Sequence, residues 1–361
     1  MVTIEEVLAA YLDCRKHKRN KQSTLAFEAN LPRNIYSLTR ELNEGSYAIG
    51  ASRCFVVTAP APREVWAASF RDRVVHHVLY SRMAPLFIPT FSAASSACLP
   101  GRGTLYGSQR LERFIRSGTQ NWQKEMYFLQ MDVSNFFVSI QKDILSRLHA
   151  EKIHCPWTLR LAEQVLRHDP TQNYVFSGDR AKLALVPPHK SLFNTHPCMG
   201  LPIGNLPSQF DANIYMNALD QYVQHTIKPQ GYVRYVDDFV LVDADIEKIK
   251  DAKDAIEQFL WDRLLLLLNP TKTKMGSVYQ GVDFVGRIIQ PHHTTPRQRL
   301  ERNAMQAIQS NQATAEGITS RLGLMRQSKS YNARQRVVRE ALRVGYAVDP
   351  RGTKVFDYGR R

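Results

Sequence analysis

The 361-residue chain lacks any apolar run long enough to span a membrane. Its longest apolar patch, Leu264 to Leu268, falls far short of the roughly 20 residues a spanning helix needs. Cysteine is scarce. The five residues (Cys14, Cys54, Cys98, Cys155, Cys198) are scattered, odd in number and without a CxxC pair. That argues against a disulfide-stapled secreted scaffold and is the pattern of reduced thiols in a cytoplasmic protein. A secretory leader is not expected either, because MVTIEEVLAAYLDCRKHKRN places acids before its apolar segment and bases after it. Acidic residues are also in deficit, at 33 against 48 Lys and Arg, for a formal charge of +15.

The excess of positive charge is uneven. Residues 291–361 hold 14 Lys and Arg against 5 Asp and Glu, and a second cluster, RKHKRNK, spans Arg15 to Lys21. Such a surface calls for a polyanion, with nucleic acid ahead of a membrane surface. With 43% apolar and 10% aromatic residues, the chain has ample material for one large domain or two to three smaller ones. Periodicity predicts helices over 4–12, 31–42 and 72–83, strands over 53–58 and 126–131, and a further helix over 208–225. Residues 168–200, with several prolines and few periodic apolars, read as an excursion or loop. Short strands over 278–289 and basic helices over 296–344 complete a mixed α+β pattern.

Within that pattern, YVRYVDDFVLV (232–242) sets two adjacent aspartates in a β-branched, aromatic run. A regular strand would send them to opposite faces, so a hairpin is expected, with Asp237 and Asp238 at its turn. Read alone, the stretch fits a solvent-facing Asp–Asp turn equally well. A third carboxylate, Asp132, ends the apolar run MYFLQMD. Three carboxylates at the ends of neighbouring strands make an oxygen-rich site suited to Mg²⁺, which takes few protein carboxylates together with substrate phosphates. Two such ions about 4 Å apart can activate a hydroxyl and stabilise a leaving pyrophosphate.

The box Tyr235-Val236-Asp237-Asp238 resembles the YxDD motif of reverse transcriptases, and six further segments resemble that family in the right order. They are PAPREVWAASFRDRVVHHVL (60–79), SACLPGRGT (96–104), MDVSNFFVSI (131–140), GLPIGNLPSQFDANIYMNALD (200–220), LNPTKT (268–273) and GVDFVGRII (281–289). The resemblance implies an α+β right-hand polymerase with fingers, a palm built on an antiparallel sheet with helices, and a C-terminal helical thumb. The expected boundaries are an N-terminal helical extension over 1–50, fingers and palm over 51–290, and a basic thumb over 291–361.

Carried over residue by residue, the resemblance makes Asp132 and Asp237 ligands of two catalytic Mg²⁺ ions, for which Mn²⁺ can substitute. Asp238 supports metal binding or primer-end geometry. Arg63 would grip the incoming triphosphate, which suits a planar guanidinium fork. Phe137 would exclude a 2′-hydroxyl, and Lys272 would act as general acid toward pyrophosphate. Val133, Gly204 and Gln209 complete the expected nucleotide site. His76 and His77 read as packing or RNA contacts. His196 and Cys198 lack a second pair with metal-ligand spacing.

Three departures from the family pattern matter. Ile203 stands where many relatives carry Gln, Gln209 follows Ser208 where Pro is common, and Ala61 stands where Lys is frequent. The IGxxxSQ form is similar to diversity-generating retroelement enzymes and to bacterial reverse transcriptases tied to phage defence. No segment resembles an endonuclease, an RNase H or a maturase DNA-binding domain. The expected partners are an RNA template or dedicated noncoding RNA, a DNA primer or product, dNTPs, and an accessory protein or second subunit, with no membrane. Antiphage defence is the first expected context and error-prone copying of a template-repeat RNA the second. A catalytically inactive RNA-binding scaffold and an RNA-dependent RNA polymerase are the competing classes. Three retained aspartates argue against the first of these, and Phe137 against the second.

Overall fold

The computed structural model describes residues 1–16 and 18–357. Local sequence starts its first helix, α1 (Ile4–Arg15): Thr3 accepts from the Glu6 amide while the Glu6 carboxylate accepts from Thr3 N. After α2 (Gln22–Glu28), α3 (Leu31–Glu44) stops at Gly45, whose φ of 75° suits a residue without Cβ. Strands β1 (Ser52–Val57) and β2 (Arg63–Ala67) form an antiparallel hairpin leading to α4 (Phe70–Phe87). Next come α5 (Thr104–Gly118), β3 (Tyr127–Asp132), the single turn α6 (Phe136–Ser139), α7 (Lys142–Lys152), α8 (Pro156–Arg167) and β4 (Tyr174–Phe176). Helix α9 (Leu206–Tyr222) precedes the hairpin β5 (Gly231–Tyr235) and β6 (Asp238–Asp243), then α10 (Ile246–Leu264) and β7 (Lys274–Ser277). Strands β8 (Val282–Phe284), β9 (Arg287–Gln290) and β10 (His293–Pro296) lead into α11 (Gln298–Gln309), α12 (Ala315–Arg326) and α13 (Tyr331–Arg343). A short pair, β11 (Ala347–Val348) with β12 (Val355–Phe356), follows.

The chain divides into two compact units. The first comprises residues 1–99, 132–226 and 254–271. Its sheet has the order β2-β1-β4, with β4 parallel to β1. Strand β4 arises inside the stretch that reads as a loop. Three residues carry no periodicity, and only pairing with Ser52–Cys54 defines them as a strand. Cys54, Trp66 and Leu192 form a small core under this sheet, joined by Tyr174 and Phe176. Helix α4 packs against α1 and α9, and its buried face carries Val74, Val75, Val78 and Leu79.

That same face buries His76, whose Nδ1 has no hydrogen-bond partner. Burial lowers its pKa to about 4, against an opposing pull from Asp72 and a smaller push from His77, Arg73 and His168. The folded state therefore holds His76 neutral while the unfolded chain protonates it below about pH 6.5. Stability is full above that pH and falls as pH drops toward 4. The expected loss is about 2 kcal/mol by pH 5, before most carboxylates titrate. Denaturant titrations at pH 7 and pH 5 check this. Equal unfolding free energies would remove the buried neutral imidazole from the account.

The second unit comprises residues 100–131, 227–253 and 272 onward. Its main sheet has the order β5-β6-β3-β7, with Asp132, the last residue of β3, just past the unit boundary. Alternation sends Val233, Val240 and Val242 to one face, where they meet Leu111 and Ile115 of α5 together with Phe284 and Ile289. A separate core joins α11, α12 and α13 through Ala304, Ile308, Ile318, Leu322 and Val337. Each fully buried Ile, Leu or Val among them contributes about 1.5–3 kcal/mol.

Candidate active site

The β5–β6 hairpin pairs Tyr235 with Asp238, so its two-residue turn is Val236–Asp237 and not the expected Asp237–Asp238. Asp237 is the turn residue and Asp238 opens β6. Val236 carries the turn at φ 59°. A β-branched residue in the left-handed region costs roughly 1–2 kcal/mol, where Asn or Gly would cost little. The buried Arg234 side chain braces the strained residue, its Nη1 donating to Val236 O at 2.8 Å. Strain kept at a turn that carries Asp237 and leads into Asp238 points to a functional demand on their placement.

Strand β3 neighbours β6. Gln130 Nε2 donates to Asp238 Oδ1 at 3.1 Å, which ties the second aspartate to β3. Gln130 and Asp132 are two residues apart on β3 and so share its face. Asp132 is itself buried, at 9% exposed, whereas Asp237 and Asp238 are half-buried. Among the described residues, no group of three or more His, Cys, Asp or Glu forms a metal cage. Magnesium is commonly held by one or two carboxylates plus substrate phosphates, so the hairpin's Asp237 and Asp238 fit an ion that arrives with its nucleotide.

In the first unit, the segment after β3 runs antiparallel to 267–269. Asn269 N donates to Asp132 O, and Ser134 N to Leu267 O, both at 2.8 Å. Val133, 1% exposed, pairs with Leu268 and serves as packing beside Asp132. Asn269 Oδ1 then accepts from Thr271 N and Thr271 Oγ1, starting the turn at whose end Lys272 stands exposed. Phe136 is buried, while Phe137, its ring 5.4 Å away, is only half-buried. That difference favours Phe137 as the ring available to a substrate. Leu201 N donates to Phe137 O, and Gly200 N to Ile140 O, which zips the α9 approach onto α6.

The same approach is welded to β2. Trp66 N donates to Ile203 O at 2.7 Å, and Ala68 N to Asn205 Oδ1 at 3.1 Å. Gly204 lies between these bonds at φ 115°, where a Cβ would fall 2.8 Å from Val65 Cγ1 and 3.1 Å from Trp66 O. Gly204→Ala should therefore destabilise the protein by about 2 kcal/mol through strain and displacement of β2. Denaturant midpoints would show it, and an unchanged midpoint would mean that the approach is not as close as described. The structure thus brings Gly204 beside the strand that carries Arg63, with Arg63 and Gln209 both exposed. Sequence reading missed Asn205, an 8%-exposed amide that accepts from β2. It also missed Glu64, although alternation in REVWA places that carboxylate on the same face as Trp66.

The reverse transcriptase (RNA-dependent DNA polymerase) family matches residues 61–289, well over half of the chain. No curated protein matches it. Among solved structures, it is similar to apo telomerase from Candida tropicalis truncated from its C-terminal domain. Identity there is 11% and the TM-score 0.48, over 67% of this chain and 54% of that one. It is also similar to telomerase from Candida albicans in complex with a TWJ fragment of telomeric RNA, at 12% identity and a TM-score of 0.45, over 81% and 54% of the two chains. The chain spans about half the length of each of these structures. With the match running unbroken from the turn before β2 to β9, through β3, α9 and the aspartate hairpin, the chain belongs to the reverse transcriptase family.

Proposed function

We propose that the protein is an RNA-directed DNA polymerase that makes cDNA from dNTPs, with Asp132 and Asp237 as ligands of two Mg²⁺ ions and Asp238 in support. The observation that carries this reading is the strained hairpin turn holding Asp237, with Asp238 bonded to Gln130 two residues before Asp132. When bound, the ions supply activation of the primer 3′-hydroxyl and charge neutralisation at the leaving pyrophosphate. The chain's own residues do the rest. Arg63 pairs triphosphate oxygens, Gly204 lets the backbone approach the nucleotide, and Gln209 borders it, while the buried Val133 packs beside Asp132. Phe137 fills the space a 2′-hydroxyl would need. Lys272 delivers a proton to pyrophosphate.

Helices α11–α13 are read as the thumb. In the second unit, a groove of about 1050 Å³ is lined by Arg297, Arg302, Lys329, Arg334 and Arg336 with Glu301 as its acid. Two of these cations are neutralised within the fold, Arg336 by Glu301 and Arg297 by Asp283. Arg334 Nε is buried with no partner. Such a surface binds nucleic-acid backbone without reading sequence, and its affinity falls with salt.

The biological reading is copying of a dedicated noncoding RNA in antiphage defence, which Ala61, where Lys is frequent, and the altered SAASSAC stretch (92–98) favour. A second reading, error-prone diversification, is favoured by Ile203, which offers no amide to the nucleotide and whose carbonyl is already bonded to Trp66 N. One experiment addresses both. The protein is purified with its accompanying nucleic acid and supplied with labelled dNTPs and Mg²⁺, and RNA and product are sequenced. An Asp237→Ala/Asp238→Ala protein serves as control. Product that copies the RNA and vanishes in the control is expected. Product errors concentrated at template adenines would favour diversification, and phage plating unchanged by the gene would overturn defence. Product that persists in the control would overturn the carboxylate assignment.

A further inference from the structure

Arg63 and Glu64 are neighbours on β2, so their side chains leave opposite faces of the strand. Arg63 is exposed, whereas Glu64 is 4% exposed. A buried carboxylate is tolerated only when its oxygens are bonded. Trp66 Nε1 donates to one Glu64 oxygen at 3.2 Å, Leu192 N donates to the same oxygen at 3.0 Å, and Ser191 Oγ donates to the other. Two of the three donors therefore lie in the 168–200 stretch, far from β2 in sequence.

That stretch backs the hairpin in two further ways. Its strand β4 pairs with β1, and its Tyr174 and Phe193 rings pack edge-on to Trp66 with centroids 5.5 and 5.1 Å away. Trp66 N also ties β2 to Ile203, and Ala68 N, just past the strand, ties it to Asn205. Strand β2 is thus clamped from beneath by a carboxylate one residue from Arg63. The Cys54 thiol is pushed up to about 12, first by burial and then by the nearby Glu64 charge.

We infer that Glu64 is a positioning residue for nucleotide binding: it locks the 168–200 stretch beneath β2 and so sets where Arg63 stands. The inference rests on Arg63 gripping the incoming triphosphate. Removing Glu64 leaves a buried hydroxyl, a backbone amide and the Trp66 indole N–H without their acceptor and frees β2 to shift, but touches no reacting atom.

Steady-state incorporation on a defined RNA template and DNA primer tests this. Glu64→Ala is expected to raise the dNTP KM about tenfold with kcat within about twofold and template–primer affinity unchanged. In an Arg63→Ala background the same change should add nothing, since one grip cannot be lost twice. Glu64→Gln should restore a near-normal KM, because its amide oxygen still accepts and the Ser191 hydroxyl can turn to accept from the new NH₂. Ser191→Ala, which keeps the carboxylate and both nitrogen donors, should raise KM about threefold and carries the test if Glu64→Ala does not fold. A fall in kcat at unchanged KM, a Gln variant as poor as Ala, or an additive effect on Arg63→Ala would each overturn the inference. If Arg63→Ala itself leaves KM unchanged, the grip assigned to Arg63 fails and takes the inference with it. If Arg63→Ala raises KM and Glu64→Ala does not, only the inference fails.

Discussion

Asp237→Ala should lower nucleotide incorporation at least a thousandfold while leaving the fold and nucleic-acid affinity intact. A lost metal ligand removes several kcal/mol of transition-state stabilisation, and about 4 kcal/mol corresponds to a factor of roughly a thousand. Stability should move the other way. Asp237 and Asp238 are adjacent like charges, and removing one relieves their repulsion. The strain at Val236 is unaffected because Arg234 Nη1 still donates to its carbonyl oxygen. Incorporation, thermal midpoint and RNA affinity measured on one preparation check all three effects. Activity within tenfold of the parent would mean that the hairpin aspartate is not a ligand. A collapsed midpoint would mean that it is structural.

Replacing Phe137 should change which sugar is accepted more than how fast DNA is made. Its ring is half-buried and packs against Phe136. Phe137→Ala opens a space about the size of a hydroxyl and its water shell. Relative kcat/KM for rNTP over dNTP is expected to rise about a hundredfold, equivalent to roughly 2.7 kcal/mol. The neighbouring Phe136 is 2% exposed, and Phe136→Ala should instead cost about 3–5 kcal/mol of stability with no change in sugar preference. Competition between rNTP and dNTP, together with denaturation of both variants, separates the two rings. An unchanged ratio for Phe137→Ala would remove it from the sugar pocket and reopen the reading as an RNA polymerase.

Much of this was legible along the chain because it is local. The helical spacing of 31–42 and the glycine that ends it, the alternation of 232–242, and the amphipathic tail all arise from neighbours within a turn or two. The aspartate hairpin was readable for the same reason, but its register was not. One residue decided whether the turn was Val236–Asp237, and pairing of Tyr235 with Asp238 settled it at a backbone angle that valine's own preference opposes. The ordered segments likewise marked Asp132, Asp237, Arg63 and Phe137 as candidates before any contact was seen.

Residue chemistry is written along the chain: three carboxylates in apolar runs, a basic tail, an aromatic after Asp132 and a glycine before α9. The place of the 168–200 stretch, by contrast, emerges from contacts distant in sequence. Its three strand residues have no periodicity of their own, and the bonds that give it meaning join Glu64 to Ser191 and Leu192 across more than a hundred residues. Such contacts are chosen by which buried groups lack partners once the chain has folded back, a condition that no local window contains.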